Sequence, residues 1–181
     1  PRYESITVGF YLRDHNRLDR FADDDVRQAA WWSVMAGACG HTYGDNNIWQ
    51  MWQPGRKPAI NANIPWYEAL DHQGARQLGL MRRFLEANAF QTLVPDQRII
   101  LDGPLTGGAK IRAMRAADGS RVIVYTPQGA SFTLDQSLVK AARTRQYWFD
   151  PRYGAEYEFG SSSVDWDGQT FQTFTPPTSG R

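Results

Sequence analysis

The chain has 181 residues, a formal net charge of +1 at pH 7 and a hydrophobic fraction of 41%. This near-neutral charge gives no general attraction to nucleic acid or to a membrane surface, and no apolar run is long enough to predict membrane insertion. Cys39 is the only cysteine, which excludes a disulfide within the chain, and its small neighbours Ala38 and Gly40 predict a buried core residue.

The first predicted element is a helix that follows three consecutive aspartates at positions 23–25. Acidic residues favour a helix N-terminus, whereas a metal site is disfavoured because no calcium-loop spacing follows. The apolar residues of this segment recur at helical spacing: Val26, Ala29, Ala30 and Val34. We expect the helix to end near Gly37 and to lead into a short buried strand from Cys39 to Tyr43.

A second long helix is predicted from about Trp66 to Ala89, opened by Pro65. Its core-facing residues would be Leu70, Leu78, Met81, Phe84 and Leu85. The order of helix, strand, loop and helix is that of a (β/α)8 barrel, although this segment contains a single βα unit. This first half ends at about residue 93.

The second half changes to a period of two, which is typical of strands. Strands are predicted at residues 98–101, 110–115, 121–125, 131–134, 145–149, 157–159 and 170–174. The strongest hairpin signal is Asp118-Gly119, between two alternating runs. Short strands at this spacing predict an antiparallel β-sandwich, so the fold class is α+β.

The candidate site lies between Gly37 and Trp52, where imidazole, phenol, amide and indole groups are crowded into one stretch. In a barrel, the loops after the strands form the active site. The candidate substrate-binding residues are His41, Tyr43, Asp45, Asn47, Trp49 and Gln50. A lone histidine beside glycines is often structural, so His41 stays open between a structural residue and a ligand contact. The mixture suits a neutral, polyhydroxylated ligand.

Glycoside hydrolysis would need two carboxyl groups, one on each side of the scissile bond. Glu4 and Asp45 flank predicted strand ends and are the better candidates, although the sequence alone cannot pair them. Glu68 and Asp71 begin a predicted helix, where capping explains them. The three histidines, at positions 15, 41 and 72, match no metal motif, so neither a metal nor a cofactor is expected.

Several sequence words together resemble one family. They are Gly40-His41-Thr42-Tyr43-Gly44, Ile48-Trp49-Gln50, Pro65-Trp66-Tyr67-Glu68-Ala69-Leu70, Trp148-Phe149-Asp150-Pro151-Arg152 and Thr175-Pro176-Pro177-Thr178. In this order they are similar to the apiosidase-like glycoside hydrolases, whose barrel is followed by a β-sandwich labelled as a collagen-binding domain. The resemblance covers nearly the whole chain.

The resemblance implies a secreted or periplasmic glycosidase that acts on plant-type polysaccharide side chains. The chain would be the C-terminal piece of a (β/α)8 barrel at residues 1–93, followed by a sandwich at residues 94–181 that lacks its last strand. The segment Pro1-Arg2-Tyr3-Glu4 resembles the end of a family motif whose first glutamate, the catalytic one, would precede Pro1. The acid/base partner would lie further upstream, so the fragment alone would be inactive.

One position departs from the family pattern: Asp45 stands where relatives commonly have a histidine, which affects substrate preference. Two alternatives to the enzyme remain. The sandwich could be a non-catalytic module that binds polysaccharide or a collagen-like matrix, or it could only support the barrel. Exposed, coplanar aromatic residues on the sandwich would favour the binding module. The sequence does not give the sugar, the linkage, the stereochemistry or the oligomeric state.

Overall fold

The computed structural model describes residues 21–60, 62–140, 143–163 and 171–179. The first half holds four helices within this range: α1 (Asp23–Met35), α2 (Asn46–Trp49), α3 (Trp66–Ala69) and α4 (Gln73–Ala87). The described residues of the second half form eight strands: β1 (Leu93–Pro95), β2 (Ile100–Asp102), β3 (Arg112–Ala116), β4 (Val122–Tyr125), β5 (Phe132–Asp135), β6 (Arg143–Asp150), β7 (Ala155–Ser163) and β8 (Phe171–Phe174). The chain is therefore a mixed α+β protein.

The strands form two three-stranded sheets and one hairpin, all with antiparallel pairing. One sheet has the order β1-β3-β4, the second has the order β2-β5-β8, and β6 pairs with β7. Between Arg98 and Phe174, the described residues contain helical structure only as short 3₁₀ turns. The strong turn signal is confirmed: β3 and β4 are joined at Asp118, which accepts hydrogen bonds from Ser120, and at Gly119, whose φ of +77° suits glycine.

The predicted strand from Cys39 to Tyr43 is wrong, because these residues have no regular secondary structure. A strand needs a hydrogen-bonded neighbour, and none of the described strands pairs with this segment. The expectation that Cys39 is buried is also wrong, since this residue is exposed. The end of α1 is as expected: the helix stops at Met35, and Gly37 follows with a φ of +96°.

The predicted helix from Trp66 to Ala89 is divided into α3 and α4. The break comes at His72, whose ψ of 135° is extended rather than helical. Leu70 lies beside the break and is 55% exposed, so its expected core position is wrong. Beyond the break, Met81 and Leu85 are buried as expected. Gly74 lies where α4 packs against α1, and a Cβ atom at this position would be in van der Waals contact with the Val26 side chain at 3.4 Å.

A shared hydrophobic core joins the two long helices to the β1-β3-β4 sheet. Trp31 of α1 lies at its centre, stacked on Tyr125 of β4 with ring centroids 5.2 Å apart. Phe84 of α4 stacks on Phe149 of β6 at 4.3 Å. Stacked aromatic pairs add to the free energy gained by burial, so helices and strands are stabilised as one packed unit.

A buried polar cluster lies at the edge of this core. The Arg27 guanidinium donates to the Gln77 side chain and, at 3.2 Å, to the Asp23 carboxylate. Gln77 in turn donates to Asp23 at 2.7 Å, which joins α1 to α4. Burial raises the pKa of Tyr125 to about 12, so its hydroxyl stays neutral. The hydrogen bonds to Asp23 and Gln77 pair the Arg27 guanidinium, as a buried charge requires.

A second core lies within the β half and includes Ile99, Ile111, Phe132, Leu134 and Phe174. Phe132 stacks on Phe174 across β5 and β8, with centroids 5.4 Å apart.

No helix of the described residues is both long and apolar enough to span a membrane.

Candidate functional site

The segment between α1 and α4 carries most of the residues singled out from the sequence, and residues 41–60 and 62–72 are called the site loop. Asp45 is the N-cap of α2, where its Oδ1 accepts from the Asn47 backbone N–H at 2.8 Å. The expectation that Asp45 follows a strand end is therefore wrong. An aspartate is favoured at this position because its side chain satisfies a free amide of the first turn.

The Asp45 carboxylate holds three other side chains together. Its Oδ1 accepts from Asn47 Nδ2 at 2.9 Å, and its Oδ2 accepts from the Tyr43 hydroxyl at 3.4 Å. The Oδ2 also lies 2.6 Å from Nδ1 of His72. Since the Asp45 side chain is only 8% exposed, it organises its neighbours and leaves little surface for a ligand.

The charge state of Asp45 follows from these partners. Burial alone raises the pKa of this carboxyl, but hydrogen bonds from His72 and Asn47 outweigh burial, so the pKa lies below its ordinary value. The carboxyl is therefore ionised at neutral pH and can only accept hydrogen bonds. It follows that Nδ1 of His72 carries the proton, and that Nε2 is the other functional atom of the ring.

Asn47 is the most deeply buried polar residue of the site loop, at 3% exposure. Its Oδ1 accepts from the backbone N–H groups of Asn63 at 3.1 Å and Ile64 at 3.3 Å. Its Nδ2 is bonded to Asp45. Asn47 therefore ties α2 to the chain that enters α3, and its amide is occupied within the loop.

Gln50 closes the other side of the loop. Its Oε1 accepts from the Ala59 backbone N–H at 2.9 Å, and its Nε2 donates to the carbonyl oxygens of Ala59 and Asn46. Asn46 in turn donates to the carbonyl oxygen of Ile60 at 2.6 Å. These bonds connect α2 and Gln50 to residues 59–60, so the Gln50 amide stabilises the fold of the loop.

The aromatic residues of the site loop are differently placed. Trp49 is 64% exposed, which leaves an indole face open, and Tyr67 is exposed as well. Trp52 donates from Nε1 to the Arg56 carbonyl oxygen at 3.1 Å. His41 is half-buried at the start of the loop. Glu4, the predicted carboxylate, lies outside the described residues.

His72 was missed by sequence reasoning. It lies 27 positions from Asp45 and matches no spacing motif. In the sequence, His72 follows Asp71 inside the predicted helix from Trp66 to Ala89. Only a break in that helix would let the His72 imidazole bond to a residue outside the helix. The structure brings together Tyr43, Asp45, Asn47 and His72, and none of the residues it describes form a cluster of three or more metal-ligating side chains that could hold a metal ion.

Two family models match the chain, one in each half. Residues 1–92 match the family model described as "Apiosidase-like, catalytic domain". Residues 94–181 match the model described as "Putative collagen-binding domain of a collagenase". None of the curated proteins searched matches this chain.

Two solved structures are similar over nearly all of the chain. One is titled "Glycoside hydrolase", with 31% sequence identity and a TM-score of 0.82 over 93% of this chain and 36% of its own. The other is a glycoside hydrolase family 5 protein from Bacteroides vulgatus ATCC 8482, with 27% identity, a TM-score of 0.82 and the same two coverages. The chain thus spans about a third of the length of these structures. By its first 92 residues, the chain belongs to the apiosidase-like glycoside hydrolase family.

Proposed function

We propose that this chain is the C-terminal part of a glycoside hydrolase that cleaves side chains of plant-type polysaccharides, and that the protein is secreted or periplasmic. The observation that carries the proposal is the site loop, which lies within the apiosidase-like match and presents an open indole beside a set of polar side chains. An exposed aromatic face with nearby hydrogen-bonding groups suits a sugar ring.

The proposed architecture is a C-terminal piece of a (β/α)8 barrel at residues 1–93, followed by a β-sandwich at residues 94–181. The boundary is supported by the two family matches, which meet between residues 92 and 94. It is also where the chain passes from α4 into β1. In such a barrel, the site loop would belong to the active-site face.

The proposed roles divide the six candidate residues into two groups. His41 and Tyr43 line the sugar pocket, and Trp49 stacks on a ring. Asp45 holds Tyr43, and Asn47 and Gln50 hold the backbone of the site loop, through the hydrogen bonds described above. No cofactor is needed for this chemistry, which proceeds with a pair of carboxyl groups.

The proposed catalytic carboxylates are Glu4 or a glutamate that precedes Pro1, and a partner further upstream. The purified 181-residue chain should therefore not hydrolyse glycosides, because removal of an essential carboxylate costs orders of magnitude in rate. Robust turnover by this chain would show that Glu4 or Asp45 has a larger part in catalysis than is proposed.

The test of the site assignment is His41→Ala in the full-length parent protein, assayed on an apiose-bearing oligosaccharide. One lost uncharged hydrogen bond to the substrate should cost about 0.5–1.5 kcal/mol in kcat/KM, and the substitution should impair catalysis more than stability. Unchanged activity with a melting temperature lower by several degrees would make His41 a structural residue.

A second candidate function, a binding module for polysaccharide, is favoured by the hairpin of β6 and β7. Tyr157 and Phe159 are exposed, and Phe159 stacks on Trp148 with a centroid distance of 5.1 Å and an interplanar angle of 22°. Tyr157→Ala should then reduce retention of the protein on insoluble plant polysaccharide. Unchanged retention would leave the β half as a support for the helices.

A further inference from the structure

His72 combines an orientation fixed by Asp45 with access to solvent. Its side chain is 33% exposed, whereas that of Asp45 is 8% exposed. Asp45 Oδ2 lies 2.6 Å from Nδ1 and fixes the ring. The edge of the ring that carries Nε2 is therefore the part of this cluster best placed to meet a ligand.

We propose that His72 is a substrate-binding residue of this site: its Nε2 hydrogen-bonds a hydroxyl group of the bound sugar, and Asp45 positions the ring for that contact. The inference rests on the proposed function and deepens it. It also gives Asp45 a different role from the one expected of it, since Asp45 acts through His72 and not by touching the sugar.

The geometry of the carboxylate supports this division of roles. Its two oxygens already accept four hydrogen bonds, from Asn47 N, Asn47 Nδ2, Tyr43 and His72. A carboxylate has about four acceptor sites in all, so a sugar hydroxyl would have to displace one of these partners. The imidazole, in contrast, uses Nδ1 for Asp45, and none of the hydrogen bonds among the described residues involves its Nε2. A hydroxyl group both donates and accepts, so it can pair with Nε2 in either protonation state.

The location of His72 links this contact to the rest of the site. Tyr43, another proposed sugar contact, shares the same carboxylate oxygen with His72. One carboxylate thus sets the positions of two hydroxyl-recognising side chains from different parts of the loop. Such positioning by a buried partner is how binding groups are held to a fixed geometry.

Two substitutions separate binding of the sugar by His72 from anchoring of the loop by its bond to Asp45. Each replacement places an amide group near the position of one of the two ring nitrogens. The asparagine amide of His72→Asn can take the place of Nδ1 and keep the bond to Asp45, whereas His72→Gln places its amide near Nε2. We expect His72→Asn in the full-length protein to raise KM roughly five- to tenfold, the effect of one hydrogen bond. Its melting temperature should stay within about 2 °C of the wild type. Unchanged kinetics in His72→Asn would overturn the inference, and a lower melting temperature in His72→Gln alone would then identify His72 as an anchor.

The matched control is Asp71→Asn. Asp71 pairs with Arg76 at 2.8 Å, but both side chains are largely exposed, and such surface pairs contribute little. This variant should have wild-type KM and melting temperature. A rise in KM here as large as that in His72→Asn would mean that the assay reports a disturbance of the segment, and it would overturn the assignment to Nε2.

A second measurement separates this inference from the proposed function. The full-length protein is labelled with ¹³C in its histidine rings and titrated with methyl apioside, and the His72 signals are assigned by their loss in His72→Asn. Shifted His72 signals without hydrolysis of any glycoside would refute the proposed function and leave the inference standing. Hydrolysis without a shift of these signals would refute the inference and leave the proposed function standing. The absence of both hydrolysis and a shift would refute the inference and the proposed function together.

Discussion

The core between the helices and the β1-β3-β4 sheet differs from the site loop in what holds it together. In the core, Trp31 is 2% exposed and stacks on Tyr125, so apolar burial provides most of the stabilisation. In the site loop, residues such as Asn47 and Gln50 bond to the backbone of other segments, while Trp49 remains open to solvent. The same chain therefore contains a region built for stability and a region built to hold polar groups in place.

This difference predicts two kinds of mutational effect. Loss of a large core side chain lowers the free energy of unfolding of the whole packed unit. Loss of a polar group in the loop frees one segment and changes what that segment can bind, with a smaller effect on global stability.

The largest effect is expected for Trp31→Ala. A buried Trp replaced by Ala leaves a cavity and costs about 3–5 kcal/mol. The free energy of unfolding, measured by denaturant titration, should fall by that amount, whereas Trp49→Ala should stay within about 0.5 kcal/mol of the wild type. Equal losses from the two substitutions would remove the distinction between the regions.

Asn47→Ala should have an intermediate effect. The substitution removes the acceptor of the Asn63 and Ile64 backbone N–H groups, which lie in a partly exposed segment, and the net loss of one such hydrogen bond costs about 0.5–1.5 kcal/mol. Hydrogen exchange should accelerate at these two amides more than at Met81 in the core. Uniform acceleration across the chain would show that the loop and the core unfold together.

The smallest effect concerns pH and is limited to the loop. The pKa of Asp45 lies below its ordinary value, so the bonds that Asp45 accepts are fully present above that value, which is about 3.9 for aspartate. They are lost as the pH falls through the lower pKa of the folded state. The backbone amide signal of Asn47, which donates to Asp45, should therefore titrate with a midpoint below about 3.9.

His72→Ala provides the control for this titration. Without the hydrogen bond from His72, burial is less opposed, so the midpoint should move up. A wild-type midpoint at or above the ordinary value, or one that does not change in His72→Ala, would contradict the described role of the pair.

The period of two after residue 95 was enough to place the strands from β2 to β8, because alternation and turn residues are local signals. The Asp118-Gly119 hairpin followed from two residues for the same reason. The shared core could not be predicted, since the stacking of Trp31 on Tyr125 joins positions almost a hundred residues apart. No local pattern in the sequence encodes such a pair.

The site loop was only partly predictable. The crowding of polar and aromatic residues after Gly37 located it, but the expected strand from Cys39 to Tyr43 is absent, because its pairing depends on residues elsewhere in the fold. The helix break at His72 was hidden by a continuous helical pattern. The hydrogen bond between His72 and Asp45, which are 27 positions apart, offsets the helical hydrogen bonds lost at the break.

Trp49 tests most directly the proposal that the site loop recognises a sugar while the helix–sheet core provides stability. Trp49→Ala in the full-length protein should raise KM for an apiose-bearing oligosaccharide roughly tenfold, equivalent to about 1.4 kcal/mol of lost stacking. Because the indole is 64% exposed, the melting temperature should stay within about 1 °C of the wild type. An unchanged KM together with a melting temperature several degrees lower would contradict the claim.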